Sequence, residues 1–229
     1  SIAGMTLGVA ALIGTFGIMT GLKEDVQAKR LGTTAHILVS DRMKESMVDY
    51  EDQVKKVAAV PDVVAATPFI FRQVLLTSPS GVQGIILRGI DPAREGTVTE
   101  LAHNLVNGNL DDLARQNKVV IPEKEREPNG SDTAMRPGII LGKELSMRLG
   151  AFPGDTLNVV SPVGPVTGAS RTPKIRQFVV VGIFQSGMYE YDSSLAYIEL
   201  GEAQKFFNMG ASVTGIEVKV TDVFRAADI

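Results

Sequence analysis

Ser1 to Leu22, SIAGMTLGVAALIGTFGIMTGL, carries no charged side chain, and the charged stretch KEDVQAKR follows at once. An uncharged apolar run of about 20 residues is long enough to cross a bilayer as a helix. Gly4 with Gly8, and Gly17 with Gly21, have the GxxxG spacing that lets membrane helices approach closely. A buried soluble helix competes with this reading, but each of the run's five glycines costs about 1 kcal/mol against alanine in a helix. A signal peptide competes too, but no basic n-region and no small-x-small cleavage site precede the charges. Residues 1–30 are therefore read as the end of a transmembrane helix and its extension. Leu22, Val26 and Leu31 lie among charged residues, so an amphipathic continuation would carry the helix rigidly into the next domain.

The rest of the chain has the makeup of a packed protein. Its 229 residues suffice for one large or two small domains. Charged residues (21%) and apolar residues (44%) sit near globular averages, which argues for a core and against wholesale disorder. A net charge of −3 supplies no global basic field, so nucleic acid is not an expected partner. With no cysteine there is no disulfide, thiol nucleophile or thiolate metal site.

Periodicity places strands and helices in alternation. AHILVS (35–40), residues 63–76, VQGIILRGID, KVVIPE, GDTLNVVSP, RQFVVVGIF, SSLAYIEL and TGIEVKVTD read as strands. DYEDQVKKVAAVPDV, PAREGTVTELAHNLV, the segment closed by Gly150, and GEAQKFFNMG with Gly210 as its cap read as helices. Glu123–Gly138 is polar, rich in Pro and Gly, and reads as a surface loop. The expected class is α+β with mixed sheets in two lobes, one inserted in the other. Residues 31–114 with 211–229 form a discontinuous lobe, and 115–210 an inserted one.

Several catalytic motifs fail on inspection. GIILGK (138–143) has three residues between its glycines where a phosphate loop has four. Glu144 also stands where Ser or Thr would meet magnesium. His36 and His103 have no ligand neighbour at helical spacing, so no metal site is expected. No G-x-S-x-G elbow occurs. SGMYEYDSSLAYIEL (186–200) gathers three tyrosines with Asp192, Ser193 and Ser194, but shows neither a base nor an oxyanion hole. It reads as an ordered corner between strands, with Asp192 and Ser193 closing a turn. No catalytic residue and no cofactor are expected.

PVGPVTGASRTPKI (162–175) lies between two strands, and its prolines and glycines would break a ladder. Hairpin loops normally take two to five residues, and much longer ones are usually functional or disordered. From Thr156 through Tyr189 there is no Asp or Glu, whereas Arg171, Lys174 and Arg176 are basic. A cationic loop on an acidic protein fits an acidic partner surface.

Taken together, GVAALIGTFGIMTGLKEDVQAKRLGTTAHILV (8–39), IILGKELSMRLGAFPGDTLNVVSP (139–162), VVVGIFQSGMYEYDSSLAYIEL (179–200) and VTGIEVKVTD (213–222) resemble the LolC/LolE family of lipoprotein-releasing ABC transporter permeases. The resemblance implies a two-lobed periplasmic domain between the first two membrane helices of an inner-membrane permease. It implies that the long loop is a hook for the periplasmic lipoprotein carrier LolA. The hook maps onto Pro162, Val163, Gly164, Pro165, Val166, Thr167, Gly168, Ala169, Ser170, Arg171, Thr172 and Pro173, and Arg176 matches a basic position of a neighbouring pad. Ile175 departs from that pad, where the LolC subunit carries a polar side chain. The resemblance further implies a separate cytoplasmic ATPase subunit, a second permease subunit in a heterodimer or homodimer, and outer-membrane lipoproteins as cargo. It implies that ATP hydrolysis moves the membrane helices and that the helix leaving at Leu22–Arg30 carries the motion outward.

Two other readings make different demands. A macrolide-exporter-like or cell-division-type permease domain would transmit force without a LolA partner. A membrane-anchored hydrolase would use the Tyr/Asp/Ser corner.

Overall fold

The computed structural model describes residues 6, 8–21, 35–41, 46–120, 133–162, 166–167, 170–223 and 226. Residues 8–21 form helix α1. Its Val9, Leu12, Ile13, Phe16, Ile18 and Met19 are all exposed. No helix among the described residues is long and apolar enough to cross a membrane. The expected span 1–22 runs past α1 at both ends, and the expected extension through Arg30 lies outside the described residues.

Beyond α1 the element order is β1 (Ile37–Val39), α2 (Tyr50–Ala58), β2 (Val63–Ser78), β3 (Gly81–Ile90), α3 (Pro92–Val98), β4 (Leu105–Asn107), a 3-10 turn (Leu110–Leu113) and β5 (Gln116–Val120). It continues with β6 (Thr133–Gly142), α4 (Lys143–Leu149), β7 (Thr156–Ser161), β8 (Val166–Thr167), β9 (Ser170–Arg171) and β10 (Lys174–Phe184). Last come α5 (Tyr189–Ser194), β11 (Leu195–Glu199), α6 (Leu200–Phe207) and β12 (Gly215–Val220). The class is α+β with a mixed sheet, as expected: β3 with β11 and β6 with β10 are parallel, and the remaining pairs are antiparallel.

The pairings close a ring. β2 bonds β3, β3 bonds β11, β11 bonds β6, β6 bonds β10, β10 bonds β7, and β7 returns to β2. Closing a sheet in this way leaves these strands no free edge and sends alternate side chains inward. The inward set is apolar throughout: Val74 and Leu76, Ile85 and Leu87, Ile139 and Leu141, Leu157 and Val159, Phe178 and Val180, Ala196 and Ile198. Helices α4 and α6 complete this core with Leu145 and Leu149, and with Leu200, Ala203 and Phe206. Phe206 meets Phe178 edge to face, with ring centroids 6.3 Å apart. Close approach of α6 depends on Gly89, where an added Cβ would lie 2.5 Å from the Ala203 Cβ.

β2 is long enough to serve two neighbourhoods. Its second half belongs to the ring, while its first half pairs with β12, which pairs in turn with β1. Val54 of α2 covers Ile216, Val218 and Val220 there. Because β1 and β12 are antiparallel, with Ile37 opposite Val218, residues 36 and 220 lie side by side.

Most elements expected from periodicity form, with four corrections. Residues 133–138 are not loop but the start of β6, paired with β5 from Gln116↔Pro137 to Val120↔Thr133. Pro137 is tolerated because it lies at the end of that ladder. The helix expected across 92–106 stops at Val98; residues 101–104 are turns and Leu105–Asn107 is β4. The residue that caps α6 is Asn208, left-handed at φ 55°, with Gly210 following at φ 58°. Asparagine tolerates that conformation through its short polar side chain.

The fourth correction concerns the long loop. β8 and β9 form a ladder inside it, Val166↔Arg171 and Thr167↔Ser170. The prolines at 162, 165 and 173 all lie outside the paired positions, so they cost the ladder no donor. The intervening sequence is Gly168-Ala169, short enough for a tight hairpin.

Candidate partner-binding site: a hook on the barrel wall

β7 enters the long loop at Ser161 and β10 resumes at Lys174, directly opposite Ser161 in the ladder. The excursion therefore leaves and re-enters the barrel wall at adjacent points. Of the expected hook residues, Pro162, Thr172 and Pro173 are exposed, and Val166, Thr167, Ser170 and Arg171 form the small ladder. Val163, Gly164, Pro165, Gly168 and Ala169 lie outside the described residues.

The two residues at the return point diverge because successive strand side chains face opposite ways. Ile175 points outward and is 63% exposed. It stands opposite Val160, which stands opposite Leu75 on β2, so one apolar row crosses three strands. A parallel row two residues along is polar: Thr77, Asn158 and Gln177, with Arg136 donating through Nε to Gln177 Oε1 at 3.0 Å. Pro162 adjoins the apolar row across a groove that also involves Ile86 and Ser194.

Arg176 turns the other way, to the side of Phe178. Its guanidinium pairs with Glu202 of α6 and lies 5.7 Å from the Phe178 ring centroid. It keeps 32% of its side chain exposed. The structure thus brings Arg176 to the base of the hook, on the face opposite Ile175. Lys174, which the sequence marked only as one charge among three, donates to the Lys205 carbonyl at 3.0 Å and to Asn208 Oδ1 at 2.8 Å. Nothing local in the sequence signals these contacts, since the partners are some thirty residues away.

The Tyr/Asp/Ser corner is built as structure. Asp192 is buried, and its Oδ1 accepts from the Ser186 amide at 2.7 Å and from Ser186 Oγ at 2.8 Å. Ser193 and Ser194 donate to the Glu190 carbonyl within α5. Tyr197 packs against Phe184 with centroids 5.3 Å apart. The corner rests on Gly142, where any Cβ would collide with the Asp192 backbone. That explains GIILGK as a strand-to-helix turn: Gly142 ends β6 and Lys143 opens α4, its Nζ donating to Gln185 Oε1 at 3.0 Å.

A charged cluster escaped sequence reasoning. Arg88 of β3 is buried and paired with Glu217 of β12, and Glu95 of α3 and Tyr197 of β11 surround it. Burial opposes the guanidinium's charge, but Glu217, Tyr197 and Glu95 outweigh it and hold Arg88 above its ordinary pKa. Burial pushes the Glu95 carboxyl up to about 7 against the pull of Arg88, and pushes the Tyr197 phenol up as well. Glu95 Oε1 accepts from Thr99 Oγ1 at 3.0 Å, while Oε2 has no hydrogen-bond partner among the described residues. The only hint in the sequence was a charged residue at the centre of an apolar strand, as in GIEVKV.

The sequence pattern of the MacB-like periplasmic core domain matches residues 1–229. The lipoprotein-releasing system transmembrane protein LolC of Neisseria meningitidis serogroup B is 30% identical over 222 residues, covering 97% of this chain and 49% of that protein. LolC of Xylella fastidiosa strain Temecula1 is 32% identical over 229 residues, covering 100% of this chain and 50% of that protein. The chain thus spans about half the length of the curated relatives it matches. Among solved structures, the periplasmic region of MacB from Actinobacillus actinomycetemcomitans aligns with a TM-score of 0.48 at 14% identity, covering 81% of this chain and 73% of that one. The extracellular domain of the transporter YknZ from Gram-positive bacteria aligns at 0.47 and 12% identity, covering 84% and 85%. With a family match over its whole length and LolC proteins as relatives, the chain belongs to the MacB-like periplasmic core domains, as a domain of the LolC/LolE kind.

Proposed function

We propose that this domain is the carrier-docking part of an inner-membrane permease that releases lipoproteins, and that the hook at 162–173 receives a LolA-type periplasmic carrier. The observation that carries the reading is the excursion between β7 and β10: a paired hairpin rooted at adjacent points of a closed barrel, beside the apolar row Ile175, Val160 and Leu75. A basic loop rooted beside an apolar strip suits a partner that combines acidic surface with apolar surface. Pro162–Pro173 with Arg176 form the proposed contact region.

The rest of the machine follows from the same reading. A separate cytoplasmic ATPase drives the cycle, a second permease subunit pairs with this one, and lipoproteins leave the membrane for the carrier. The domain performs no chemistry of its own. Residues 31–114 with 211–229 form the membrane-proximal lobe and 115–210 the inserted, carrier-facing lobe. The side-by-side placement of residues 36 and 220 supports this, because a domain set between two membrane helices needs both connections on one side.

The test is calorimetric binding of the chain to purified LolA from the same organism, with and without 162–173. Binding that disappears with the loop is expected. A folded, intact chain that binds no LolA would remove the docking role and leave a LolE-like subunit or the force-transmitting, macrolide-exporter-like reading.

A further inference from the structure

We propose that helix α6 is the seat of the hook, and that Lys174 and Arg176 are positioning residues which fix the direction in which the hook leaves the barrel.

The geometry is that of a clamp. Residues 174 and 176 open β10 directly after the hook, and their side chains share one face of the strand. Both reach α6. Arg176 pairs with Glu202 Oε2, while Lys205 Nζ holds Glu202 Oε1 at 2.9 Å. Only 8% of the Glu202 side chain is exposed. A carboxylate that deep demands cationic partners, and removing one leaves an uncompensated charge. Lys174 binds the other end of the helix, at the Lys205 carbonyl and Asn208 Oδ1, with its ammonium 5.7 Å from the Phe206 ring centroid. Cations are favoured at a helix C-terminus, where unpaired carbonyls gather.

The helix is a fixed anchor. Leu200, Ala203 and Phe206 are buried in the barrel core, and Gly89 brings Ala203 against β3. The hook's return strand is therefore held on two sides: by the β7 ladder through its backbone and by α6 through its charges. A two-residue ladder such as β8–β9 is too short to hold its own direction. On this account Arg176, besides the contact its exposed third can make, acts on a carrier through the hook.

The consequence for carrier docking rests on the function proposed above, but the clamp can be tested without any carrier. Hydrogen–deuterium exchange would be followed in the purified chain at residues 170–172, using β3 and β11 as internal references. Lys174→Met and Arg176→Met are expected to accelerate exchange at 170–172 about tenfold, the change that ~1.4 kcal/mol of lost clamp energy produces. Arg176→Lys should retain most of the protection, and β3 and β11 should be unchanged in all three. Wild-type exchange in both Met variants would overturn the clamp. So would acceleration spread equally over β3 and β11, which would mean that the barrel had loosened. Glu202→Gln adds a further arm, and Lys174→Met, at a half-buried rim position, keeps the test decisive if that variant does not fold. Loss of carrier binding on hook deletion is scored separately, so the docking role and the clamp can fail independently.

Discussion

At the residue scale, Asp192 and Glu95 show how differently two buried carboxylates can be used. Asp192 Oδ1 collects two donors from Ser186 and so fixes the turn at Gly187, which has φ 76°. Asp192→Ala is expected to destabilise the domain by about 1–3 kcal/mol, because it orphans a buried amide and hydroxyl. Urea unfolding measures this, and an unchanged midpoint would refute the role. That the stretch is architecture was legible in the sequence, since it offered no base and no oxyanion donor. Glu95 was not legible: its partners Arg88 and Glu217 come from separate strands, and only folding brings them together.

Glu95 also gives the fold a pH dependence. Its carboxyl is pushed up to about 7 by burial from the ordinary 4.5, so the folded state holds a proton that the unfolded chain releases. A raised folded pKa means this contribution is fully present below the unfolded value and is lost as pH rises through the folded one. Arg88 on β3, Glu217 on β12, Tyr197 on β11 and Asp91 at the N-cap of α3 are the charged and titratable groups around it. Stability should therefore fall between about pH 5 and 7, by at most ~1.4 kcal/mol per pH unit for one proton. Glu95→Gln should flatten that slope. Denaturant midpoints across this range would show it, and an identical slope in the variant would refute the assignment.

At the scale of elements, α6 joins the core to the hook. Phe206 fills the barrel end against Phe178, so Phe206→Ala should cost about 3–5 kcal/mol, the usual range for a buried aromatic. The midpoint of urea unfolding reports it directly, and a loss well under 1 kcal/mol would mean the barrel end is not closed by this ring. Helices and strands such as α6 and β10 were legible because their apolar spacing is local. The ladder inside the hook was not, because two-residue strands carry no period. Nor was the start of β6: TAMRP has no apolar alternation, and it is strand only because β5 lies beside it.

At the scale of the whole molecule, the closed ring decides how the chain can come apart. β2 and β3 come from residues 31–114, whereas β6, β7, β10 and β11 come from 115–210. Hydrogen bonds between the two groups run along β3–β11 and β2–β7. No periodicity in the sequence announces those pairings, since they join strands that are distant along the chain. Neither group can leave without opening the barrel at both seams and exposing a core whose side chains come from all six strands. The two proposed lobes should therefore unfold together. Native-state exchange in rising denaturant would give β3 and β10 the same global opening energy, while the hook exchanges at far lower cost. Separate opening energies for β3 and β10 would instead make the lobes independent folding units. A common value would make the barrel a single folding unit, with the root of the hook fixed to its wall at Ser161 and Lys174.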